Sequence, residues 1–98
     1  MAQVEVISEI ELGGGWKFET QILCDDGSLS KHVITLSWAD YNLWSADGAD
    51  QPAKVADAVI SFLLSKTSSH DIPAKFDASL ARRKFTDADA AIPALIGR

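Results

Sequence analysis

Residues 3–12 alternate, with Val4, Val6, Ser8, Ile10 and Leu12 on one side and Gln3, Glu5, Ile7, Glu9 and Glu11 on the other. A period of two marks a strand with one face against a core. Gly13, Gly14 and Gly15 interrupt it, and Trp16, Phe18, Thr20, Ile22 and Cys24 then alternate with Lys17, Glu19, Gln21 and Leu23. After Asp25-Asp26-Gly27 a third run sets Ser30, His32, Ile34, Leu36 and Trp38 against Lys31, Val33, Thr35 and Ser37. Three such runs joined by short turn sequences predict a three-stranded antiparallel meander.

Register follows from parity, because a slip of one residue turns every apolar side chain to the other face. A two-residue Asp26-Gly27 loop would set Phe18 opposite Thr35. A three-residue loop, with Gly27 in the left-handed position, pairs Phe18 with Ile34 and Trp16 with Leu36. The same test on Gly13-Gly14-Gly15 predicts another three-residue loop, with Leu12 opposite Trp16, Ile10 opposite Phe18 and Ser8 opposite Thr20. Both outer strands are then open edges, and the third, carrying only Lys31 and His32, is less guarded than the glutamate-bearing first.

Residues 39–50 read as loop, and a helix follows from Pro52 to about Lys66, its cap either Asp50 or Gln51. Val55, Ala56, Val59, Ile60, Phe62 and Leu63 form one wide apolar stripe on it, so the helix lies on the sheet. Shorter helical pieces are expected at Ile72–Phe76, at Ala78–Phe85 with Asp77 as cap, and at Asp87–Ala91, where Thr86 and Asp89 resemble a capping box and Pro93 is the stop. The fold class is therefore α+β: a three-stranded antiparallel meander packed on one long helix, followed by shorter C-terminal helices, in one domain over residues 1–98.

His32-Val-Ile-Thr-Leu36, then Ala39-Asp-Tyr41, then the proline-opened helix reaching Phe62-Leu-Leu64, then Phe76-Asp77, resemble in order a group of small uncharacterised bacterial proteins. The similarity covers roughly residues 16–86 and rests on short apolar patterns. After Leu64 the chain departs from it, with Ser65-Lys-Thr-Ser-Ser where the group has a charged, glutamate-rich helix end. The resemblance implies a bacterial origin and this fold, and it implies no catalytic residues.

Fourteen acidic against nine basic side chains give a net charge of −5, which argues against nucleic acid as a partner over the whole surface. Cys24 is the one cysteine, so no intramolecular disulfide forms and a cytoplasmic location is expected. The early carboxylates do not read as an export signal. The longest uncharged apolar stretch, Ala58–Leu64, is far short of the ~20 residues a bilayer span needs, so a soluble protein is expected. Cys24, His32 and His70 lack zinc-ligand spacing, and Gly13–Gly15 joins strands instead of opening a helix as a phosphate loop would. Neither metal nor cofactor is expected.

The derived register lines up Ser8, Thr20 and His32 across the inner face. A hydroxyl beside an imidazole reads as nucleophile and base, making a small enzyme or small-molecule binder one hypothesis, or equally as buried polar groups satisfying one another. Whether His32 reaches solvent decides between them. Lys75, Arg82, Arg83 and Lys84 concentrate cations in one region, either as a patch for phosphate or an acidic partner or as a solvated face. Tyr41 and Trp44 either form a contact site or fold back over the open end of the sheet.

On the outer sheet face Leu23 and Leu29 come together, with Ile7 and Val33 nearby. Such an apolar cluster supports a second hypothesis, a binding or regulatory module acting through protein contacts, with a homodimer as one form. The C-terminal Ile92-Pro-Ala-Leu-Ile96 competes to cover the same face. Three strands and a helix also resemble, in fold alone, the small antitoxins of the HicAB type.

Overall fold

The alternating runs form β1 (Gln3–Leu12), β2 (Gly15–Leu23) and β3 (Leu29–Ser37), followed by helices α1 (Trp38–Trp44) and α2 (Pro52–Lys66). A 3-10 turn at Ser69–Asp71 leads to a short strand β4 (Lys75–Asp77) and to helices α3 (Ser79–Lys84) and α4 (Ala88–Ile96). This is a computed structural model, and it describes residues 3–45 and 47–96. Strand order is β1-β2-β3-β4, antiparallel for the first three, with β4 parallel to β3. The class is α+β as expected, but the sheet is mixed and four-stranded, not a three-stranded meander.

The β2–β3 hairpin has the register that parity demands, Phe18 opposite Ile34 and Trp16 opposite Leu36. Gly27, at φ 87°, closes its three-residue loop. Its N–H reaches the Cys24 carbonyl at 3.0 Å, and the Cys24 N–H reaches the Ser28 carbonyl at 2.8 Å. Trp16, Phe18, Ile22, Ile34 and Leu36 are buried in one row beneath the helices.

The β1–β2 hairpin differs from the expectation. Leu12 pairs with Gly15, so the loop is Gly13-Gly14 alone and Ile10 faces Lys17 instead of Phe18. A bulge between Val6 and Ser8 absorbs one residue, which sets Val6 opposite Thr20 and Val4 opposite Ile22. The sheet thus keeps its inner face apolar by a bulge within the strand, not by a longer loop. Gly15 is drawn into the ladder because its backbone lies against the Leu36 carbonyl, where no side chain fits. Past the bulge β1 leaves the core, and Ile10 and Leu12 are exposed.

Helix α2 has the expected bounds, and its whole stripe is buried together with Ala58. Gln51 is its N-cap residue, while the Asp50 carboxylate accepts from the Ser45 hydroxyl at 2.7 Å. Residues 39–44, read as loop, are helical. The Ser37 hydroxyl accepts the Asp40 N–H at 3.1 Å and starts α1 directly at the end of β3.

Residues 72–76, read as a helical piece, are not helical: they bend at Ile72 and Ala74 and enter a strand at Lys75. Pro73 biases Ile72 away from helix, and the Ala74 carbonyl then accepts the Val33 N–H at 2.7 Å. The Ala78 N–H donates to the Thr35 carbonyl at 2.7 Å, so β4 lies along β3 and covers the edge that the sequence leaves open. Asp77 serves the start of α3 by accepting the Ser79 N–H at 3.1 Å.

Helix α4 continues through Pro93 to Ile96. Ala88, Ile92 and Ile96 recur every four residues and are buried, with α4 packed on α2, and this burial outweighs the one backbone bond proline removes. The C-terminal segment therefore belongs to the helix layer and does not cover the outer sheet face. No helix among the described residues is long and apolar enough to cross a membrane.

Candidate functional site

The row expected across the inner face does not form. Thr20 and His32 are paired, but the bulge moves Ser8 opposite Glu19, whose carboxylate accepts its hydroxyl at 3.2 Å. Ser8 therefore sits on the outer face. The Thr20 hydroxyl donates to the His32 carbonyl at 2.9 Å, not to the ring. His32 is 4% exposed. Its Nδ1 lies 2.7 Å from the Pro73 carbonyl, to which it can only donate, and its Nε2 lies 2.6 Å from the Ser30 hydroxyl. With both nitrogens engaged and the ring sealed, His32 ties β3 to the segment before β4 and is not presented to a substrate.

Tyr41 and Trp44 fold back over the end of the sheet and are buried. The Tyr41 hydroxyl donates to the Gly48 and Asp50 carbonyls, and the Trp44 indole donates to Asp89 at 2.9 Å. Neither is available as a contact residue. Trp38 is the partly exposed aromatic here, its ring against Trp16 at 4.4 Å between centroids.

The four cations do not form one patch. Arg82 turns inward to Asp40 at 2.6 Å and Asp89 at 3.0 Å, its guanidinium 5.3 Å from the Trp44 ring centre. It thereby links α1, α3 and α4. Lys75 stands on the outer sheet face beside Val33, and Lys84 faces a small hollow with Leu63, Pro73 and Phe85. Asp40 is forty-two residues from Arg82, and Asp89, seven residues on, lies on a different helix, so no local pattern signalled this network.

Asp89 is held below the ordinary carboxyl range by the Trp44 indole N–H and by Arg82. A carboxyl depressed in the folded state stabilises above its unfolded value, about 4, and that stabilisation is lost as pH falls through the lower folded value. Urea midpoints at about pH 6 and about pH 2.5 should show this acid loss, and Asp89→Asn should lose less between the two. Equal losses in both proteins would remove Asp89 from the acid response.

The uncovered face of the sheet remains. At one end Leu23 and Leu29 are paired and exposed. The next row, Glu5, Gln21 and Lys31, is polar, and the Gln21 amide donates to Glu5 at 3.1 Å. This row separates the leucines from Ile7, Glu19, Val33 and Lys75, so the expected four-residue apolar cluster is split in two. Beyond it Lys17 stands beside Thr35, whose hydroxyl donates to Asp77 at 2.6 Å. Lys17, Glu19, Val33, Thr35 and Lys75 line a hollow of about 490 Å³. Burial raises the Asp77 carboxyl, but the bonds from Thr35 and Ser79 outweigh it and hold the group below its ordinary value.

A second cleft, of about 730 Å³, lies between the β2–β3 turn and the end of α2. Cys24, half-buried, lines it, with its sulfur 3.2 Å from the Ser69 hydroxyl. Ser61, Ser65, Thr67 and Ser68 also line it, each bonded to a neighbouring carboxylate or backbone group. Among the described residues no group of three or more His, Cys, Asp or Glu side chains is gathered as a metal would require. Compared with protein-family models, with curated proteins and with solved structures, the chain matches none.

Proposed function

We propose that the protein is a small binding module acting through protein contacts, and that its partner across the uncovered sheet face is a second copy of the chain. The charge on that face carries this reading. Its outward strand positions hold Lys17, Lys31 and Lys75 against Glu5, Glu19 and Asp77, three of each sign, whereas the chain as a whole carries −5. Two copies repel through most of their surfaces, and this face is where repulsion vanishes and lysines can meet carboxylates. Leu23 and Leu29 add apolar area at one end. The antitoxin resemblance rested on three strands and a helix, and the parallel β4 departs from that plan.

Sedimentation equilibrium on the intact protein is expected to show a dimer. Leu23→Glu with Leu29→Glu, both at exposed positions, is expected to give a folded monomer. A wild type that stays monomeric at millimolar concentration would refute self-association.

A further inference from the structure

The outer strands of the sheet are β1 and the three-residue β4, so β1, ten residues long, is the extended free edge. The bulge divides it into two halves of different chemistry. Before it, Val4 and Val6 face the helices and pack against the core. After it, Glu9 and Glu11 take the helix side, opposite Phe18 and Trp16, and Ile10 and Leu12 take the outward side, opposite Lys17 and Gly15. Ile7, at the bulge, is exposed with them. Among the described residues neither glutamate has a cationic partner within salt-bridge distance.

Charged residues on an edge ordinarily guard it against self-pairing, and these do. Antiparallel pairing of this half with its own copy sets Glu9 opposite Glu11, like charges directly across the ladder. The same arrangement is complementary to a different strand. A strand added to an edge shares its period of two, so its side chains fall alternately beside Glu9 and Glu11 and beside Ile10 and Leu12.

We propose that the second half of β1 takes an extended segment of a partner protein by strand addition, and that this segment alternates basic and apolar residues. The lysines or arginines lie on the helix side against Glu9 and Glu11, and the apolar residues lie outward against Ile7, Ile10 and Leu12. Backbone bonds to the free edge supply binding, and the alternation fixes which way up the segment lies. Strand addition uses the backbone edge in the plane of the sheet, whereas Ile10 and Leu12 border the face across which two copies meet. A test peptide is therefore titrated into the Leu23→Glu, Leu29→Glu variant as well as the wild type, and binding is expected in both.

The test is a titration of the full-length protein with a peptide of about eight residues alternating lysine and valine, followed through backbone amide signals. Saturable binding is expected, with new protection from hydrogen exchange confined to residues 7–12. A peptide of the same charge but N-methylated at every backbone amide has no N–H left to donate on either side and is expected not to bind. Glu9→Lys with Glu11→Lys is expected to weaken the parent peptide by at least about tenfold. Equal binding of the N-methylated peptide would show charge attraction alone and overturn the proposal. So would protection elsewhere on the sheet, or the absence of saturation at millimolar peptide.

Discussion

Phe62→Ala is expected to cost about 3 to 5 kcal/mol of folding stability, because the side chain is fully buried and its removal leaves a cavity as well as lost transfer energy. Phe62 is 1% exposed. It projects from α2, and its ring meets Phe85 edge-on at 5.8 Å between centroids. The Lys66 ammonium lies over both rings, at 5.5 and 5.9 Å. A domain of this size has about 5 to 15 kcal/mol in all, so the variant would be marginally folded. Urea titration should show the midpoint fall with an unchanged slope. Phe62→Leu keeps most of the volume and is expected to lose under about 1.5 kcal/mol. A loss under about 1 kcal/mol for the alanine variant would place Phe62 outside the core.

What made the β2–β3 hairpin and α2 legible was redundancy. In the hairpin, the two alternations, the loop length and Gly27 all demand one register. In α2, the stripe and Pro52 agree on one helix with one buried face. The elements that were misread each lacked a second signal. A bulge leaves no mark in β1, because Ile7 is apolar and Ser8 polar on either parity. Trp38 continued the alternation of β3 by accident, which hid Ser37 as the cap of α1. Lys75–Asp77 is too short to show a period, and it becomes a strand only because β3 offers its free groups.

The candidate sites follow the same logic. Pairing of Thr20 with His32 was legible because it is a matter of register, and so was the contact of Leu23 with Leu29. The environment of the His32 ring was not, since one of its partners is the carbonyl of Pro73, forty-one residues away. Nor was the turning inward of Arg82, which among three consecutive basic residues has nothing local to set it apart. Its neighbours Asp40 and Asp89 meet it only once α1, α3 and α4 have packed. The split of the outer face could be read only after the bulge had fixed which residues of β1 point outward.

Gly15→Ala is expected to be the most damaging substitution among the turn glycines, at about 3 kcal/mol or more. Gly15 has φ 156°, a conformation L residues rarely adopt. An added Cβ would lie 2.9 Å from both the Leu36 carbonyl carbon and the Ser37 Cα, and it would overlap the Leu36 oxygen outright. All three are backbone atoms, so no side chain can swing aside. Relief requires opening the Gly15–Ser37 end of the β2–β3 ladder, next to the buried Trp16–Leu36 pair. Strain would also reach α1, because the Trp38 N–H donates to the Gly14 carbonyl at 3.0 Å. Gly13 and Gly14 provide the control: a Cβ at either meets nothing within 4 Å, and neither has a positive φ. Their alanine variants are expected within about 0.5 kcal/mol of the wild type. Thermal or urea unfolding of the three variants side by side tests the account. A Gly15→Ala protein as stable as the other two would show that the close approach at Leu36 is not a constraint on the sheet.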